Sequence, residues 1–154
     1  MSETNPFPPD DPDRHAIWEM LVRRDSDFFL GGDWSLVRDD YVENGFLGID
    51  AGKSLDPEHW RPAYPDVASY RDAAIAGRWS QEDFAEPLRA AWFRCQSLSH
   101  IDIAGDTALA HKRIDGSITR KSGEPLTLGW RSVFQLRRID ARWRIGGFTG
   151  YLPL

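Results

Sequence analysis

The sequence predicts an α+β fold, with helices first and an antiparallel meander after them. Three observations carry that prediction. The chain has 154 residues, the size of one domain built around one core. Apolar residues recur with a helical period between residues 14 and 30. From about residue 97 the pattern changes to alternating runs of β-type residues separated by short turn signals.

Each element has its own signal. Residues 1–12 hold four of the ten prolines and predict a disordered tail, leaving 13–154 as a single domain. The acidic, proline-rich start reads against a signal peptide. Between 14 and 30, Ile17, Trp18, Met20, Leu21, Val22, Phe28 and Phe29 share one broad sector of a helical wheel, and Gly31-Gly32 end the helix. Asp33 then caps a short helix from Trp34 to about Asp40. Phe46 to Asp50 predicts a short strand, and residues 51–64 a long turn-rich loop of the kind that is usually functional or mobile. Pro65 opens a helix with Val67, Tyr70 and Ala74 on one side, ending near Gly77. Ser80 caps a further helical segment that Pro87 kinks or breaks. SLSHIDIA, TALAHKRIDGSIT, PLTLGWRSVFQLRRI and RWRIGGFTGYLP are the four predicted strands.

Composition narrows the function classes. Hydrophobic residues make up 41% and charged residues 28% of the chain, and no apolar run approaches the ~20 residues of a membrane span. The net charge of −5 divides as −9 over residues 1–60, 0 over 61–100 and +4 over 101–154. Such a split reads as acidic helices against a basic sheet, and a pI near 5.3 disfavours nucleic acid as partner. Cys95 is the one cysteine. It excludes an internal disulfide or a cysteine-built zinc site, reads as a buried thiol, and fits a reducing cytoplasm. Dinucleotide, P-loop, zincin, EF-hand and nucleophile-elbow motifs are all missing from the sequence, so no cofactor or metal is implied.

Three stretches, AIWEMLVRRDSDFFLGGDWSLVRDDYV, IAGDTALAHKRIDGS and WRSVFQLRRIDARWRIGGF, resemble the nuclear transport factor 2-like superfamily, in particular its SnoaL-like and ketosteroid-isomerase-like members. The shared features are a GDW helix junction, a GD hairpin and a final strand with W-x-I, and the resemblance covers most of residues 14–154. It implies a cone: N-terminal helices on the concave face of a strongly curved antiparallel sheet, enclosing one pocket, with a homodimer formed through the outer sheet face. Members include isomerases, dehydratases, cyclases, small hydrolases and proteins with no chemistry. The isomerases' aspartate base, tyrosine and protonated aspartic acid have no residue-by-residue match here, the nearest carboxylate on the first strand being Asp50. The expected function is a small-molecule-binding domain with cofactor-free acid–base chemistry. The alternative is a non-catalytic homodimeric module whose cone is filled by its own aromatics.

Strand parity proposes the inward-facing residues. If Asp140-Ala141 is a two-residue loop, Trp130 faces Tyr151, Ser132 faces Thr149 and Leu136 faces Ile145 on the inner side, with Phe148 and most arginines outside. If Ser122-Gly123 is also a two-residue loop, Leu109, His111, Arg113 and Asp115 turn inward. A two-residue Gly105-Asp106 loop places His100 opposite His111, whereas a longer loop turns His100 away. Asp25 lies within the apolar sector of the first helix, where an unpaired carboxylate is costly. It is therefore a pocket carboxylate, a structural ion pair, or a position near the helix end exposed to water. Asp25 and His111 form the candidate acid–base pair, and Arg113, Ser132 and Thr149 are candidate oxygen-binding groups. Trp130 and Tyr151 are candidate pocket wall, and Trp60 and Tyr64 in the 51–64 loop are either a lid or a plug.

Overall fold

A computed structural model describes residues 3–154. Its first helix is continuous but not uniform. An α-helix, α1 (Pro12–Trp18), passes through a π-helical turn at Glu19–Arg24 into α2 (Asp25–Gly31). Asp11 caps the start, and Gly32 in the left-handed conformation ends it. Asp33 caps as expected, its carboxylate accepting from Ser35 N–H at 3.0 Å. Two 3₁₀ turns follow at Trp34–Leu36 and Arg38–Asp40. The third helix, α3 (Val67–Ala76), carries a reciprocal capping box between Asp66 and Ser69. Pro65 therefore precedes the cap and does not form the first turn. Ser80 caps one 3₁₀ turn, and Pro87 separates it from α4 (Leu88–Arg94).

Six strands form one sheet: β1 (Leu47–Asp50), β2 (Arg61–Tyr64), β3 (Gln96–Ala104), β4 (Thr107–Thr119), β5 (Pro125–Ile139) and β6 (Arg142–Leu152), in the order β2-β1-β6-β5-β4-β3. The meander β3 to β6 is antiparallel, but β1 runs parallel to β6, so the sheet is mixed. The 51–64 segment is only partly a loop. Its end is β2, which pairs with β1 and gives the sheet its edge.

The segment expected as a disordered tail is tied down over its described part, Met1 and Ser2 lying outside the described residues. Asn5 Nδ2 donates to the His15 carbonyl at 3.0 Å, and Phe7 packs against the main core. Among the described residues, no helix is long and apolar enough to cross a membrane.

The hairpins decide which side chains face the helices. The Gly105-Asp106 and Asp140-Ala141 loops hold two residues each, since Ala104 pairs with Thr107 and Ile139 with Arg142. The β4–β5 loop holds three. Arg120 N–H bonds to the Glu124 carbonyl, Gly123 N–H bonds to the Arg120 carbonyl, and Gly123 adopts φ +89°. Glycine supplies that left-handed position in a three-residue hairpin. The extra residue slips β4 by one against β5, and a one-residue slip exchanges the faces. Lys112 therefore pairs with Ser132 and Ala110 with Phe134 on the inner side. Leu109, His111, Arg113 and Asp115 turn outward. A second departure lies between β5 and β6. A bulge beyond Leu136–Ile145 pairs Phe134 with Phe148 and Val133 with Thr149, which brings Phe148 inside and takes Thr149 outside.

The basic and acidic layers meet where the sheet abuts the 3₁₀ turns. Asp40, 1% exposed, accepts a fork from Arg24 at 2.9 and 3.0 Å and a further bond from Arg142 at 2.6 Å. Two buried hydrophobic clusters fill the concave side. The larger lies under α1, α2 and α3, and the smaller lies under α4 and the far ends of β4 and β5.

Candidate functional site

The two clusters do not close on each other. Between them lies a cavity of about 170 Å³. Its walls are Phe29, Trp92 and Trp130 from one cluster and Tyr64, Tyr70 and Phe148 from the other. Gly48 leaves room for this wall, because a Cβ there would lie 2.8 Å from Phe148 and 2.9 Å from Tyr64.

The polar floor is an ion pair. Lys112 Nζ donates to Asp25 Oδ2 at 3.0 Å and to the Leu21 carbonyl at 2.6 Å. The lysine side chain is 5% exposed and the aspartate 25%. The helix explains why a carbonyl is free to accept. Asp25 N–H bonds to the carbonyls of Met20 and Val22, bypassing Leu21, which would be its partner in an α-helix. A π-helical turn thus exposes one backbone acceptor to a side chain from the sheet, and such turns are frequent at functional sites.

Phenols surround the pair. Burial, reinforced by the Asp25 carboxylate, pushes the Tyr41 and Tyr70 hydroxyls well above the ordinary tyrosine range. Burial also raises Tyr151 and Tyr64. These groups therefore stay protonated at neutral pH and can donate hydrogen bonds. Such a shift carries a stability signature. A phenol kept neutral in the folded state contributes stability that is complete below about pH 10, the unfolded value, and is lost as pH rises beyond it. Tyr41 and Tyr70 together are expected to steepen alkaline destabilisation by about 3 kcal/mol per pH unit above pH 10. Urea unfolding at stepped pH values measures the slope, and Tyr41→Phe and Tyr70→Phe should each flatten it. An unchanged slope in both variants contradicts the assignment.

Further donors face the same space. Ser132 lines it. The buried Trp92 also lines it, and its Nε1–H has no protein partner. Tyr151 reaches the cavity from a strained backbone, with φ +54°, and its ring lies 5.2 Å from Trp130. Lys53 Nζ sits 4.9 Å over the Trp130 ring.

Of the residues proposed from sequence, Asp25, Tyr64, Trp130, Ser132 and Tyr151 come together around the cavity. The others do not. His111 lies on the outer face beside His100, with ring centroids 5.5 Å apart. Arg113 points outward and bonds to Asp115 at 3.1 Å. Thr149 pairs with Val133 on the outer side, and Trp60 is 42% exposed outside the cavity. Lys112, Tyr70 and Trp92 were missed. The hairpin slip conceals Lys112, Tyr70 reads from sequence only as one side of a helix, and no motif marks Trp92. Among the described residues, no three His, Cys, Asp or Glu side chains cluster in metal-binding geometry.

No family model matches the sequence, and neither does any curated protein. Solved structures do. A protein of unknown function from Shewanella baltica superposes with a TM-score of 0.59 at 15% identity, over 91% of this chain and 93% of that one. One from Silicibacter pomeroyi gives 0.60 at 11%, over 92% and 96%. Both carry the name of one fold. This chain has the nuclear transport factor 2-like fold. A third relative of that fold, from Novosphingobium aromaticivorans and described as cystatin-like, is 21% identical with a TM-score of 0.57, over 92% of this chain and 82% of that one. In this nuclear transport factor 2-like chain, the Asp25–Lys112 pair lines the cavity of the cone.

Proposed function

We propose that this nuclear transport factor 2-like domain binds a small, uncharged cyclic carbonyl compound and performs cofactor-free acid–base chemistry on it, as SnoaL-like isomerases or dehydratases do. The observation that carries this reading is an ion pair opening onto an aromatic-walled cavity. The pair is neutral as a whole and the phenols are protonated, so the site offers no net charge to an ionic ligand. Its free groups are mostly donors, namely Trp92 Nε1–H, Ser132 and Tyr151, which match the acceptor oxygens of a carbonyl or hydroxyl. The volume suits one ring, since an apolar cavity of ~150 Å³ holds benzene. Asp25 takes the part of proton carrier, and Lys112 steadies negative charge on the ligand oxygen. His111 drops out of the acid–base pair because it faces outward, and Lys112 replaces it.

The test is a thermal-shift screen of cyclohexanone, cyclohexenone and simple phenols. At least one is expected to raise the unfolding midpoint. Trp92→Phe should then weaken that ligand about fivefold, the value of one hydrogen bond. If no compound moves the midpoint, the non-catalytic reading takes its place.

A further inference from the structure

We propose that Lys112 captures its ligand covalently, as an imine with an aldehyde or ketone, so that the site is an amine-catalysis centre as well as an acid–base pocket. This rests on the reading of the cavity given above. Lys112 is one of three lysines in the chain, with Lys53 and Lys121. It alone lies on the inner face with its side chain almost fully buried. Its amine is held in place by two acceptors, the Leu21 carbonyl and Asp25, which leaves the third position on nitrogen for the cavity that Lys112 lines. Lysines desolvated in apolar pockets are the amines that form such adducts. The carboxylate needed to shuttle protons is already bonded to the nitrogen.

The steps balance without a further reagent. The Lys112 ammonium passes a proton to Asp25, and its lone pair attacks the carbonyl carbon. The C=O π pair moves to oxygen, which takes the proton from Asp25. The carbinolamine nitrogen returns a proton to the carboxylate, and the hydroxyl leaves with that proton as water. One carbonyl compound and one ammonium become one iminium and one water, with Asp25 ionised at both ends. Trp92 and Ser132 line the same space and can hold the oxygen during the attack.

The experiment treats the full-length protein with benzaldehyde and sodium cyanoborohydride at neutral pH, followed by intact-mass and peptide mapping. Lys53 and Lys121 act as internal controls. Lys53 lies against Trp130, and Lys121 is exposed in the β4–β5 turn. Lys112 is expected to be benzylated about tenfold or more over either control, a modest share of what a positioned amine can gain. Lys112→Arg keeps a cation beside Asp25 and should lose that adduct while the protein remains folded. Benzaldehyde without reductant is scored in parallel by thermal shift. A raised midpoint with no Lys112 adduct, or with equal labelling of all three lysines, overturns the imine and leaves the binding reading standing. No adduct and no shift with benzaldehyde also overturns the imine, and the binding reading falls only if the cyclohexanone, cyclohexenone and phenol screen is negative as well.

Discussion

Replacing Lys112 with methionine is expected to lower folding stability by about 3 kcal/mol, at the low end of the cost of breaking a buried ion pair. Two groups lose their partner at once. The Asp25 carboxylate is left beside apolar rings, and the Leu21 carbonyl, which the helix ladder does not use, is left buried without a donor. The penalty stays below the extreme because the Asp25 side chain keeps 25% of its exposure. The double variant Lys112→Met with Asp25→Leu should recover part of the loss, since an apolar pair of similar volume often matches an ionic one. Urea unfolding of the wild type, both single variants and the double variant measures this. A Lys112→Met protein within 1 kcal/mol of wild type would falsify the coupling drawn between sheet and helix.

Phe148→Ala is expected to cost about 3–5 kcal/mol, the range for deleting a buried phenylalanine ring. Phe148 contacts four other rings, those of Phe46, Tyr64, Tyr70 and Phe134, with centroids 5.1 to 5.9 Å away. It also walls the cavity, so the same change should enlarge the site. Bicyclic carbonyl compounds are expected to gain relative to cyclohexanone in the thermal-shift screen. Loss of stability without any change in ligand ranking would place Phe148 in the core alone and not at the site.

The order of elements was readable because local chemistry specified it. Caps at Asp33 and Ser80, glycine after α2 and the period change near residue 97 each act over a few residues. The 4-residue strands β1 and β2 have less to show. The parallel pairing of β1 with β6 rests on contacts about 100 residues apart in sequence, and no local signal encodes it. At the site, one ambiguity propagated. Lys121, Ser122 and Gly123 admit a two-residue or a three-residue hairpin, and the choice decides whether His111 or Lys112 faces the helices. Glycine suits the second position of a two-residue loop as well as the left-handed third position it takes here, with φ +89°, so the residue type does not decide between them. The bulge that brings Phe148 inward was not legible either. It leaves Gly146 unpaired between Gln135–Gly147 and Leu136–Ile145, next to Gly147, whose added Cβ would meet the Leu47 carbonyl at 2.7 Å, on a strand whose position no local signal gives. Asp25 was legible as a carboxylate that needs a partner, and the partner came from the strand whose register was misread.

The π-helical turn has a consequence for how this site arises and disappears. A turn closed from i to i+5 contains one residue more than a turn closed from i to i+4. Removing one residue other than Leu21 from Glu19–Arg24 would let the helix return to its ordinary repeat, and the Leu21 carbonyl would be taken back by the backbone. The side chains of α1 and α2 would keep about their present faces, because the wide turn already absorbs the extra residue. Lys112 would lose an acceptor without being touched. The lysine socket is thus governed by the length of a helix and not only by the residues that line it. A single-codon insertion or deletion in that segment is the genetic event that creates or erases it, and two chains with the same lysine and aspartate can differ in chemistry through that one position.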